Sequence, residues 1–280
     1  MFKIGWFSSG RDDAAIELLR VVFDEIKKDT IKGQIPFVFV TRNIGEKKES
    51  DKFINFARSL GLDVLCLSHR NFKPELRKYA LKESKKLDHD SPSLLQWRKE
   101  YDMKVISLLS DYDPDIIVLA GYMLIASPEM CLKYNMINLH PALPGGPKGT
   151  WQEVIWELME EHANITGVMM HLITPELDAG PPVTYCQFSI SDLKIQPLWN
   201  QWDEKRKSKS LEEIRESEGE SEPLFKEIRR RGLMREFPLI VATLKAAADK
   251  DFYIESGKVI VNGVKLEKGF NLTEEIEKAL

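Results

Sequence analysis

Residues 2–8, Phe-Lys-Ile-Gly-Trp-Phe-Ser, are mostly apolar and run into Ser9-Gly10-Arg11, after which Ala15, Leu18, Leu19, Val22, Phe23 and Ile26 recur at helical spacing. This predicts a strand, a turn and an amphipathic helix, with Asp12 or Asp13 as the helix cap. The alternation continues with a strand over 35–41, a helix over 53–60, a strand over 63–67, a long helical stretch around 79–109 and a strand over 115–119. Strands alternating with helices require crossover connections and hence a mainly parallel sheet. The runs Pro36-Phe37-Val38-Phe39-Val40 and Ile116-Ile117-Val118-Leu119 are almost continuously apolar. Strands covered by helices on both faces read this way, which places these two at the sheet centre.

Beyond the Gly145-Gly146-Pro147 loop, Thr150 and Glu153 have the spacing of a capping box ahead of Trp151, Val154, Ile155, Leu158 and Met159. Residues 167–173 and 183–190 read as two strands joined by a turn-rich segment, an antiparallel pair that extends the sheet. From 203 to 231 the composition shifts to dense Lys, Arg, Glu and Ser, as in a solvated helical insertion or a lid. Helical residues follow over 234–248, and a hairpin is expected from 258–261 and 264–266 around the turn dipeptide Asn262-Gly263. The fold class expected is α/β, a doubly wound, mainly parallel sheet of the Rossmann type, with a C-terminal helical and hairpin extension. The expected organisation is a principal domain over 1–200, a charged helical insertion or lid over 201–232, and a C-terminal helix and hairpin over 233–280.

At 280 residues and 43% apolar, the chain can bury one large core with an appendage. Its 30% charged residues nearly balance at net −4, which leaves no electrostatic footprint for a polyanion, so neither nucleic acid nor a membrane is expected as partner. Cys66, Cys131 and Cys186 are widely spaced in apolar settings, as for buried thiols in a reducing compartment. The chain opens directly on strand-like residues and no apolar run approaches the length that crosses a bilayer, so a cytoplasmic protein is expected. No metal-ligand spacing is present; His69, His89 and His162 are scattered among charges, and no metal is expected. Trp97, Trp199 and Trp202 are assigned to packing. Small-molecule partners are expected, and a homodimer is left open.

Two short segments carry most of the chemistry. Asn138-Leu139-His140-Pro141 closes an apolar stretch, and Glu176-Leu177-Asp178-Ala179-Gly180-Pro181 follows about forty residues later. Alternate residues of an extended chain point to one face, so Asn138 and His140 share a side, and the turn at Pro141 leaves them at the open end of a sheet. An amide, an imidazole and a carboxylate suit the transfer of an acyl group to an amine through a tetrahedral intermediate. The amide donates to the developing oxyanion, the imidazole holds or releases a proton near neutral pH, and the carboxylate orients the imidazole or accepts the amine's proton.

Four ordered blocks resemble the folate-dependent formyltransferases, of the phosphoribosylglycinamide formyltransferase type: Leu119-Ala120-Gly121-Tyr122-Met123 with Ser127-Pro128, Asn138 to Pro141 with Leu143-Pro144, Thr166-Gly167 leading to His171, and Thr174 through Pro181. The resemblance covers most of residues 1–190. It implies a formyltransferase-like fold, Asn138, His140 and Asp178 as the catalytic triplet, and 10-formyltetrahydrofolate as the formyl donor. Its pteridine would lie between Met123, Leu124, Ile125 and Ala126 on one side and the loop that holds Glu176 and Leu177 on the other. Met123, Leu139 and Pro141 would face the acceptor. The implied reaction is formyl transfer to a primary amine, glycinamide ribonucleotide first, as in purine biosynthesis.

Where that family carries a Gly-Ser-Asn turn whose amides hold the acceptor's phosphate, this chain reads Asp12-Asp13-Ala14 after Ser9-Gly10-Arg11. The family's ribose-holding glutamate aligns with Leu233, and Arg230, within Arg229-Arg230-Arg231, lies near another of its phosphate contacts. Ser9, Gly10, Arg11 and Arg230 are therefore the acceptor-side candidates. The alternatives are another amine or water as acceptor and, from another class, a folate or nucleotide sensor that binds without turnover. Plainer readings stand beside these: Asp178 as a turn former, the arginine run as a solvated face paired with Glu222 and Glu227, and His171 as either a core histidine or a partner of Asp178.

Overall fold

The structure is a computed structural model that describes residues 1–176 and 178–280. In chain order its elements are β1 (Phe2–Ser8), α1 (Asp13–Lys27), β2 (Gly33–Val40), α2 (Lys48–Ser59), β3 (Val64–Cys66), α3 (Pro74–Leu87), α4 (Pro92–Leu108), β4 (Ile116–Leu119), α5 (Pro128–Lys133) and β5 (Met136–His140). There follow α6 (Trp151–Glu160), β6 (Ile165–Leu172), β7 (Pro182–Ser189), α7 (Gln196–Arg206), α8 (Leu211–Ser217), α9 (Pro223–Asp249), β8 (Tyr253–Glu255), β9 (Lys258–Val261), β10 (Val264–Leu266), β11 (Phe270–Asn271) and α10 (Thr273–Ala279). The chain divides into two compact units that do not follow its order. The first comprises Met1–Asn138, Leu172–Gly180 and Leu244–Gly257, and the second Leu139–His171, Pro181–Thr243 and Lys258–Leu280.

In the first unit the strand order is β5-β4-β1-β2-β3 and every pair is parallel. The order reverses between β1 and β4, the switch point at which open α/β sheets form their ligand crevices. β4 is buried along its whole length, as its unbroken apolar run requires. Phe7, Phe37, Phe39, Trp97, Tyr101 and Met130 belong to the core of this unit. The helical stretch expected around 79–109 is two helices, α3 and α4, because Pro92 cannot continue a helix. It sits instead at the first turn of α4, behind Ser91, whose hydroxyl accepts from the Leu94 amide at 3.2 Å. Leu94, Trp97, Tyr101 and Val105, spaced by three or four, then form the buried face of α4.

In the second unit β6 and β7 pair antiparallel, β11 adds to β7 in parallel, and the end of β5 neighbours β6. Thr150 and Glu153 form the capping box of α6. The segment expected to be a solvated insertion is helical but not solvated throughout: Trp202, Leu211, Ile214, Leu224, Phe225 and Ile228 are buried in one core with Trp156 and Trp199. Each large side chain so buried contributes about 1.5–3 kcal/mol relative to exposure. These apolar positions are sparse in a stretch dominated by charge, and only within single helices are they spaced by three, as Trp199 and Trp202, Leu211 and Ile214, and Phe225 and Ile228 are. α9 runs from Pro223 to Asp249 with Pro238 inside it, so the domain boundary expected at 232/233 falls within one helix. β9 and β10 pair antiparallel across Asn262 and Gly263, both of which take the positive φ that this two-residue turn needs. Among the described residues no helix is long and apolar enough to cross a membrane.

Candidate active site

The β1–α1 turn lies at the switch point. Gly10 has φ +55, and a Cβ there would come 3.0 Å from the Phe53 Cβ and 3.1 Å from the Ser50 Cα, so glycine is required. Ser9 ties the turn to its neighbours. Its amide donates to the Gly121 carbonyl at 3.1 Å, and its hydroxyl oxygen accepts from the Met123 amide at 3.1 Å and from the Thr41 hydroxyl at 2.9 Å. The Asp12 carboxylate accepts from the Ala15 amide at 3.2 Å as the cap of α1. The helix terminus that could receive a phosphate is therefore already capped by a carboxylate of the chain itself. Arg11 is exposed, its Nε 3.8 Å from the Asp12 carboxylate and its Nη1 3.7 Å from the Met123 Sδ.

The segment after β4 is held from two ends. At one end is the Ser9–Met123 bond; at the other, the Ser127 amide donates to the buried Asp102 carboxylate at 2.6 Å. Burial pushes the Asp102 pKa up to about 6, against the opposing pull of the Ser127 amide and hydroxyl. Between these anchors Met123 is 58% exposed, Leu124 and Ile125 are half-buried and Ala126 is buried. A pocket of about 370 Å³ opens at the Ala126 end of this segment, lined by Leu95, Gln96, Arg98 and Lys99 of α4, by Ala126, Ser127 and Pro128, and by Pro175. Its volume falls within the range of small-molecule sites. The α4 wall was not legible beforehand, although the Ser91-Pro92 helix start was the signal that could have located it. The charges on this wall are paired, Arg98 with Asp90 and Lys99 with Glu129 at 2.7 Å.

Asn138 and His140 occupy alternate positions at the end of β5, half-buried and buried respectively. His140 Nε2 lies 2.9 Å from the Pro147 carbonyl, and since a carbonyl only accepts, Nε2 carries the proton of this bond. The His171 ring, 1% exposed, meets that of His140 edge to face at 5.9 Å. Leu139 and Pro141 flank His140 and are half-buried. Asp178 has φ +49, a left-handed conformation that Asp adopts more readily than most residues, and it is half-buried. Glu176 is exposed, and its carbonyl accepts from the Thr174 hydroxyl at 2.9 Å, which tightens the turn before Asp178. Leu177 lies outside the described residues. Among the described residues no group of three His, Cys, Asp or Glu side chains is placed to hold a metal ion.

The arginine run on α9 is satisfied within its own unit. Arg230 donates through Nε and Nη2 to Glu227, both at 2.8 Å, and Arg231 binds Asp192 and, at 2.9 Å, Glu227. Arg229 bonds Glu236 at 2.5 Å and lies over the Trp151 ring. Glu222, expected to pair with this run, instead takes Lys205 at 3.0 Å. The Arg231 guanidinium holds the Asp192 carboxyl down to about 2, and Arg230 does the same for Glu227. Arg230 and Arg231 also line a groove of about 490 Å³ with Asp192, Leu193 and Met234.

Residues 28–195 match the family model described as formyl transferase. The phosphoribosylglycinamide formyltransferase of Escherichia coli (strain K12) is 37% identical over 170 residues, which cover 59% of this chain and 64% of that protein. That of Schizosaccharomyces pombe is 36% identical over 93 residues, 31% of this chain and 45% of that protein. The chain thus spans under two thirds of the length of these relatives. Among solved structures, a phosphoribosylglycinamide formyltransferase from Coxiella burnetii superposes with a TM-score of 0.63 at 18% identity, covering 96% of this chain and 98% of that one. A formyltetrahydrofolate deformylase from Burkholderia mallei does so with 0.58 at 14%, covering 93% and 69%. At such identities the likeness is one of fold.

Proposed function

Since the chain belongs to the formyl transferase family, we propose that it transfers a formyl group from 10-formyltetrahydrofolate to a primary amine, with glycinamide ribonucleotide the first acceptor to test. Small molecules are then its partners, and the cytoplasm its compartment. The observation that carries this reading is the pair Asn138 and His140 at alternate positions of β5, at the carboxyl end of a doubly wound sheet; the Asp178 turn and the 123–126 segment enter it through their resemblance to the same family. The pocket lined by Ala126 and Pro175 has the volume of a small-molecule site and is the place proposed for the folate ring.

In this mechanism the amine nitrogen attacks the formyl carbon, the C–N bond to the acceptor forms, and the bond to N10 of the folate breaks as that nitrogen takes a proton. The Asn138 amide and the protonated His140, through Nδ1, donate to the oxyanion. Asp178 passes the proton from the attacking amine toward the leaving nitrogen. His140 keeps its orientation by donating Nε2–H to the Pro147 carbonyl.

The test is to incubate the full chain with 10-formyltetrahydrofolate and a panel of amines that includes glycinamide ribonucleotide, and to follow tetrahydrofolate release with the formylated product. Amine-dependent release with matching product supports transfer. Release without any amine identifies a hydrolase, and binding without release under every condition identifies a sensor.

A further inference from the structure

We propose that Arg42, Arg70 and Arg77 form an anion site at the carboxyl ends of β2 and β3 that takes a phosphate monoester group, carried by the formyl acceptor. The second part of that statement rests on the transfer reading above; the anion site does not.

The three cations come from separate stretches: Arg42 follows Thr41, Arg70 follows His69, and Arg77 stands on α3, with His69 held against Thr41. Its ring Nδ1 lies 2.8 Å from the Thr41 carbonyl, and its amide donates to the same oxygen at 3.1 Å. His69 is buried, and burial followed by the fields of Arg77, Arg42 and Arg70 lowers its pKa. Burial followed by Arg70 and Arg42 lowers that of Arg77 as well, so all three guanidinium groups act on one neighbourhood. Like charges gathered at a partly buried place are unfavourable unless an anion answers them.

Among the described residues, none of the three arginines forms an ion pair with a carboxylate, and the Nη1 of Arg42 is buried without a hydrogen-bond partner. A buried donor left unmade is costly, and such a donor calls for an explanation. Glu46 is the nearby acid, but its two oxygens accept from the Ser68 hydroxyl at 2.9 Å and the Asn71 amide at 2.8 Å. Arg77 lies over the Trp97 ring at 5.4 Å, which fixes its stem and leaves its donors in plane. Planar guanidinium groups match phosphate oxygens in bidentate fashion, which favours a phosphate over a single-point anion.

The position relative to the β1–α1 turn supplies the link to the acceptor. The carbonyl that holds His69 belongs to Thr41, and the Thr41 hydroxyl donates to Ser9 of that turn. The terminus of α1 is already capped by Asp12, and Asp13 adds a second negative charge to its first turn. A phosphate repelled there meets positive charge one strand away.

The experiment measures binding of inorganic phosphate and of ribose 5-phosphate to the full chain by calorimetry, for the native protein and for Arg70→Met and Arg77→Met, with melting temperatures as the check on folding. Arg70 is exposed, so Arg70→Met keeps the test valid even where Arg77→Met lowers stability. Both probes are expected to bind, with affinity falling roughly tenfold or more in each variant and with rising salt. No phosphate binding by the native chain, or equal binding by both variants, overturns the site. In the transfer assay the same variants are expected to raise KM severalfold for a phosphorylated amine and to leave an unphosphorylated one unchanged; equal KM effects on both overturn the link to the acceptor. Arginine-dependent phosphate binding with no formylation of any amine retains the site and rejects the transfer reading, whereas transfer without phosphate binding does the reverse.

Discussion

The Ser127 amide donates to the carboxylate of Asp102 across 25 residues of sequence, at 2.6 Å and out of contact with solvent. Through this bond a helix that faces the core sets the position of Ser127, which caps α5 and ends the 123–126 segment. Burial raises the Asp102 pKa from an ordinary value near 3.8 to about 6. A carboxyl whose folded pKa is raised binds more protons in the folded state. Its contribution to stability is full below the unfolded pKa and is lost as pH rises through about 6.

Asp102→Asn keeps an oxygen to accept from Ser127 but cannot ionise. Its melting temperature is expected to lose this downward trend between pH 4 and pH 6.5, so that the variant gains on the native protein as pH rises. Thermal denaturation across that range decides it; parallel pH profiles contradict the assignment of the titration to Asp102.

Ser9 is the second anchor of the same segment. Ser9→Ala leaves the Met123 amide and the Thr41 hydroxyl without their acceptor, at a cost on the order of 1–3 kcal/mol. Stability is expected to fall by that order in a denaturant titration, and KM for the folate to rise while kcat changes little. A change in kcat alone would contradict the positioning role.

Gly167 on β6 is a matter of space. A Cβ there would lie 2.4 Å from the Cys186 carbonyl oxygen and 2.4 Å from the Leu143 Cδ2. The backbone of a paired strand cannot yield as a side chain can. Gly167→Ala is expected to destabilise by roughly 1–3 kcal/mol, read as a lower denaturation midpoint with an unchanged slope, whereas Gly232→Ala, which meets nothing within 4 Å, is expected to be near neutral or stabilising.

The elements that the sequence disclosed are those specified locally. Asp12 as a cap, the Thr150–Glu153 box and the Asn262-Gly263 turn each depend on residues within a few positions of one another, and all three form. The buried strands were legible because an apolar run as continuous as that of β4 has few other uses. Two misreadings have a common origin. Pro92 interrupts what reads as one long helical pattern, and Leu211, Ile214 and Phe225 are outnumbered by the charges around them, because composition averaged over a window hides single decisive positions. The candidate site was legible as residue types in order. The Asp102–Ser127 bond and the joint field of Arg42, Arg70 and Arg77 at His69 were not, since the chain separates their members by as many as 35 positions and only the sheet order unites them.

The transfer mechanism rests most heavily on Asn138, whose amide has no task in it other than to donate to the oxyanion. The direct measurement is the rate of amine-dependent tetrahydrofolate release by Asn138→Ala, with binding of the folate measured on the same preparation. The expected result is a loss of roughly a hundred- to a thousandfold in kcat, the usual cost of one oxyanion donor, with folate affinity nearly unchanged. Turnover equal to that of the native protein would contradict it.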